Sequence, residues 1–114
     1  MMLEKLSLLA ESCSDIEKEL YIKYEVKRGL RDINGKGVLA GLTNIGEVHS
    51  YIIDENETVP VPGRLIYRGI DIDCIVNGFM DEKRLGFEET CYLLLFGDLP
   101  DRETLTEFEE LLGN

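Results

Sequence analysis

The sequence predicts a mainly α-helical fold with a small antiparallel β element near its N-terminus. Apolar residues recur at helical spacing in residues 1–25 and 71–112. Between residues 37 and 68 the pattern changes to short β-forming runs broken by Gly, Asn and Pro. A length of 114 residues fits one domain or part of one.

In chain order, Leu3, Leu6, Leu9 and Ala10 make a first helical stripe that ends near Cys13. Ser14-Asp15-Ile16-Glu17 has the form of a capping box, in which Ser14 and Glu17 each satisfy a backbone N–H. Ile16, Leu20 and Tyr24 follow at one-turn intervals. Neither helix is long enough to stand alone, so both need a partner surface. From Val26 to Gly37 the chain is basic, and Asn34-Gly35 marks a turn.

Val38–Thr43 and Val48–Ile53 read as strands, separated from later residues by the polar turn Asp54-Glu55-Asn56-Glu57. Val59-Pro60-Val61-Pro62 must be extended, but two missing donors keep it out of a central strand. Arg64–Arg68 completes a sheet of two or three strands. Asp71 is placed to cap a short helix over Ile72–Asn77, with Gly78 as its stop. The spacer Phe79–Leu85 forms a helical turn or an ordered loop.

The next helix begins near Gly86 or Phe87, with Glu88 and Glu89 at its positive end. Phe87, Cys91, Leu94 and Leu95 form its stripe, Gly97 its left-handed cap, and Pro100 follows. Tyr92-Leu93-Leu94-Leu95-Phe96 is more apolar than one face explains, which predicts burial on several sides. Asp101 caps a last helix with Leu105, Phe108, Leu111 and Leu112 on one side.

Hydrophobic content of 44% and charged content of 31% describe a globular chain, not a disordered one. The net charge of −11 is uneven: residues 1–50 carry 7 basic and 8 acidic side chains, residues 51–114 carry 5 and 15. Such a surface repels phosphate, which argues against nucleic-acid and anionic-membrane partners. It also places no anionic substrate on the second half. No apolar run approaches a membrane span, and the N-terminus lacks a signal-peptide pattern. Cys13, Cys74 and Cys91, without C-x-x-C spacing, read as reduced packing thiols of a cytoplasmic protein.

Leu-Ile-Tyr-Arg-Gly-Ile-Asp-Ile at 65–72, followed by Phe-Glu-Glu-Thr-Cys-Tyr-Leu-Leu-Leu-Phe-Gly-Asp-Leu-Pro at 87–100, resembles the N-terminal part of citrate synthases and 2-methylcitrate synthases. Two blocks in order, with a helix-sized gap, are more specific than either alone. Gly37–Gly46 looks like that family's first strand region, and the resemblance spans Tyr24–Leu112. It implies the N-terminal portion of an all-α citrate synthase fold and the opening of a far longer, homo-oligomeric acyltransferase of the tricarboxylic acid cycle. In that parent reaction acetyl-coenzyme A condenses with oxaloacetate, or propionyl-coenzyme A gives 2-methylcitrate. A carboxylate removes the α-proton, histidines stabilise the enol and polarise the ketone, and arginines hold carboxylates.

The resemblance implies no metal and no redox cofactor, the coenzyme A thioester being a substrate. The family's catalytic motifs lie beyond position 114, so no catalytic residue is assigned here. Arg31 is the counterpart of an arginine implied to hold a coenzyme A phosphate, although the Asn34-Gly35 turn alters its spacing. The expectation is an inactive segment that pairs with itself or with a full-length subunit through apolar helix faces. The alternative is a standalone oligomerisation or regulatory module.

Other candidate residues read as structural. His49, the single histidine, lies in an alternating strand with no triad to join. Gly35-Lys36-Gly37 lacks P-loop spacing. Asp54, Glu55, Glu57, Asp71 and Asp73 do not match a calcium loop. For Arg68 in Tyr67-Arg68-Gly69, anion binding competes with a structural role, pairing with a carboxylate to fix the strand-to-helix corner, and the second is the better reading.

Overall fold

The computed structural model describes every residue except Asp32 and Lys36. It divides into two compact units, Met1–Cys13 with Ile45–Asn114, and Ser14–Asn44. Among the described residues there are five helices and a three-stranded antiparallel sheet. Helix outweighs strand, as expected, but the sheet lies in mid-chain and the all-α description fits the helical part alone.

In the smaller unit, α2 (Lys18–Lys23) begins after Glu17, which makes no side-chain cap bond, so the capping box does not set its start. It ends with Glu25 in the left-handed region, its N–H donating to Ile22 O while Val26 N–H reaches Tyr21 O. The strand expected at Val38–Thr43 is absent. Val38 N–H donates to Leu30 O, Lys27 N–H donates to Leu39 O, and Arg31 and Gly37 form an isolated bridge. These bonds close a loop, and Gly37 and Gly41 weaken any extended ladder. The turn expected at Asn34-Gly35 is present, with Gly35 in the left-handed region at φ 81°.

In the larger unit, β1 (Gly46–Asp54) pairs with β2 (Glu57–Tyr67), and β2 with β3 (Ile70–Asp71). Both connections are two-residue turns with positive φ throughout, Glu55 at 47° and Asn56 at 65°, then Arg68 at 50° and Gly69 at 84°. That is the type I′ requirement, which matches the strands' natural twist. The register shifts between His49 and Tyr51, where Val61-Pro62-Gly63 faces Ser50. Pro60 and Pro62 therefore belong to β2. Their missing donors are tolerated because β3 reaches only Ile66 and Tyr67, leaving that edge open.

Asp71 caps α3 (Ile72–Asp81), its Oδ1 accepting from Asp73 N–H at 3.0 Å. The helix runs through Gly78 and stops at Lys83, whose φ is 57°. There Lys83 N–H donates to Met80 O and Arg84 N–H to Phe79 O, a Schellman ending with Lys where Gly is usual. Gly86 precedes α4 (Phe87–Phe96), and Gly97 closes it at φ 85°. Asp101 caps α5 (Arg102–Gly113), accepting from Thr104 N–H at 2.7 Å.

The core forms where α1 (Met2–Cys13), α4 and α5 meet, with Leu6, Tyr92 and Phe108 buried together. Tyr92 and Phe108 stack edge to face at 5.4 Å, and Phe96 joins both. The buried face of α4 is thus Tyr92 and Leu93, not the predicted stripe, since Phe87 and Leu95 are exposed. Tyr92 outranks Phe87 because its ring reaches two aromatic partners, a contact worth about 0.5–1.5 kcal/mol beyond area.

Two glycines give opposite predictions. A Cβ at Gly86 would overlap the Phe79 ring, whereas one at Gly78 would meet nothing within 4 Å. Gly86→Ala should cost about 1–3 kcal/mol in urea unfolding and Gly78→Ala should gain about 0.5–1 kcal/mol. The two caps predict acid sensitivity. The Asp73 N–H and then Arg64 hold the Asp71 carboxyl below its ordinary 3.8, and Thr104 does the same for Asp101. Folded values below the unfolded ones mean stability present above the unfolded pKa and lost as pH falls through the folded one. Below about pH 4 the urea midpoint of Asp71→Asn/Asp101→Asn should fall less steeply than the unaltered chain's.

Candidate functional site

Arg68 sits in the left-handed turn that ends β2, with its N–H donating to Ile45 O at 2.8 Å. From there its guanidinium reaches the C-terminal ends of two helices. Nε and Nη2 donate to Leu94 O of α4 at 3.1 and 2.9 Å, and Nη1 donates to Cys13 O of α1 at 3.0 Å. Helix C-termini carry unsatisfied carbonyls and partial negative charge, so a fixed cation satisfies both. Cys13 Sγ completes the joint by donating to Leu95 O at 3.3 Å.

The structural reading of Arg68 holds, with main-chain carbonyls as the acceptors. The carboxylate pairing at this corner is made by Arg64, whose Nε lies 3.0 Å from Asp71 Oδ2. The acceptors lie 26 and 55 residues away in sequence, so no local sequence signal announces the carbonyl role.

His49 pairs with Glu47, Nε2 to Oε1 at 2.6 Å, on the exposed part of β1. Its cross-strand neighbour is Arg64, which is engaged by Asp71. Among the described residues no nucleophile joins the pair in a triad. Among the described residues no group of three His, Cys, Asp or Glu could hold a metal ion. The three cysteines form no disulfide, and Cys74 is exposed, contrary to its reading as a packing residue.

A cleft of about 190 Å³ lies among the ends of α3, α4 and α5, lined by Glu82, Arg84, Glu89, Asp101, Arg102 and two apolar residues. Arg84 is bound by Glu82 and by both oxygens of Glu89, and Arg102 approaches Glu82 at 3.6 Å. Its cations are already neutralised, which leaves little attraction for an anionic substrate. A second hollow, in the smaller unit, is lined by Asp15, Glu17, Leu20, Tyr24, Leu42 and neighbours, with carboxylates but no cation. Arg31 is exposed on the basic loop of the smaller unit, Nη1 donating to Gly35 O at 3.0 Å. Burial, reinforced by Asp101 and Asp98, pushes the Tyr92 phenol up, so it stays a neutral packing group.

A sequence profile described as "Citrate synthase, C-terminal domain" matches residues 29–114, about three-quarters of the chain. No curated protein and no solved structure matches. No helix is long and apolar enough to cross a membrane among the described residues.

Arg68→Met should lower stability by about 1.5–3 kcal/mol in urea unfolding, the range for hydrogen bonds involving a charged group. Arg68→Lys should recover only part, because one ammonium cannot span both carbonyls as the fork does.

Proposed function

The chain belongs to the citrate synthase family, and we propose that its residues form the opening portion of a citrate synthase-type acyltransferase, inactive by themselves. The parent reaction condenses acetyl-coenzyme A with oxaloacetate to give citrate in the tricarboxylic acid cycle, in the cytoplasm, with 2-methylcitrate synthesis as the close variant. The observation that carries this is the family match together with the state of the chemistry-bearing side chains. The single histidine is half-buried and paired with one carboxylate, and the arginines at 64, 68 and 84 are bound by protein acceptors. Condensation needs a base, a polarising donor and carboxylate-binding arginines converging on one cavity.

Placement at the start of the enzyme rests on the resemblance of residues 65–72 and 87–100 to the N-terminal part of citrate synthases. Arg31 is the residue we assign to a coenzyme A phosphate, since its exposed guanidinium is oriented on the basic loop by Gly35 O. The parent uses no metal or redox cofactor in this reading.

A second reading, an oligomerisation or regulatory module derived from the family, is favoured by the apolar helix surface left exposed. Leu85 is 90% and Phe87 71% accessible, beside a run of leucines in α4. An in-frame continuation after Asn114 into histidine-containing motifs supports the first reading, and a stop codon the second.

With acetyl- or propionyl-coenzyme A and oxaloacetate, the purified chain should release thiol no faster than the no-protein control. Citrate formed in proportion to added chain would overturn the proposal.

A further inference from the structure

We propose that the β1–β2 hairpin is an exchanged arm, whose apolar distal half and acidic tip dock on the basic Lys27–Arg31 loop of a second copy of this chain. Beyond the shift at Ser50, Tyr51, Ile52, Ile53 and Val59 are all exposed. Strand alternation puts Tyr51 and Ile53 on one face and Ile52, opposite Val59, on the other. A two-stranded ribbon is marginal alone, and strands apolar on both faces belong where both faces are covered.

The tip adds a charge requirement. Asp54 and Glu57 are register partners, with Glu55 in the turn between them. Like charges directly opposite are unfavourable, so a cation beside them relieves the ribbon. The chain carries the complement: Lys27 and Arg28 are exposed beside an exposed Leu30. Loop and arm share one composition, apolar residues beside charge, with opposite signs. Bonds from Lys27 N–H to Leu39 O and from Val38 N–H to Leu30 O hold the loop's shape. Two arms exchanged about a two-fold axis make the same contact twice, and local pairing of opposite patches offsets repulsion between copies of charge −11.

Sedimentation of the full chain at physiological salt tests this, and it stands apart from the catalytic reading because it measures mass, not turnover. The unaltered chain should form a dimer. Glu55→Lys/Glu57→Lys should weaken it by at least about tenfold, even though net charge falls from −11 to −7 and general repulsion drops. Lys27→Glu/Arg28→Glu should weaken it likewise, and all four changes in one chain should restore it. Circular dichroism verifies that each variant keeps its helices. A monomer at all concentrations overturns the proposal, as does a dimer indifferent to both reversals or one abolished by Phe87→Ser/Leu95→Ser, which would place association on α4.

Discussion

The larger unit depends on one guanidinium. Two helices that run out at the same place, α1 at Cys13 and α4 near Leu94, each end in carbonyls with no helical partner and in partial negative charge. Left alone, those ends would repel each other. Arg68 donates to both, and the approach is close enough that a Cβ at Gly97 would sit 3.3 Å from Cys13 Cβ. The same residue turns β2 into β3, and β3 ends on Asp71, the cap of α3. A three-residue run, Tyr67-Arg68-Gly69, therefore links the sheet, the first helix and the helical pair after it.

At the centre of this arrangement the charged side chains are engaged by the protein itself. Arg68 and Arg84 are taken up by carbonyls and carboxylates, and the half-buried histidine by Glu47. Acidic side chains concentrate on the helices of the second half, and basic ones on the loop before the sheet. What the chain exposes is apolar: the distal hairpin, and the faces of α3 and α4 around Leu85 and Phe87. In a citrate synthase family member, surface of that kind points to association, within one polypeptide or between copies.

Much of the fold was legible where a single residue type decides the backbone. Asp71, Asp101 and Gly97 cap helices as their chemistry dictates, and β1 and the start of α4 fall at the expected positions. Legibility failed where neighbours decide. Gly78 reads as a stop, yet α3 continues and a lysine takes the left-handed position, because the Schellman bonds are available at Lys83. Phe87 reads as core, yet the core selected Tyr92, which meets Phe96 and Phe108. Val38–Thr43 has strand-forming residues but no partner strand. Arg68 reads as structural, but its acceptors are main-chain carbonyls 26 and 55 residues away in sequence, which no local pattern encodes.

Native-state hydrogen exchange on Arg68→Met addresses this centre directly. If Arg68 ties α1 to α4, amides of Leu6–Cys13 should lose protection well before those of the β1–β2 hairpin, whose ladder does not need the guanidinium. Equal loss in helix and hairpin, or unchanged protection in α1, would contradict the account.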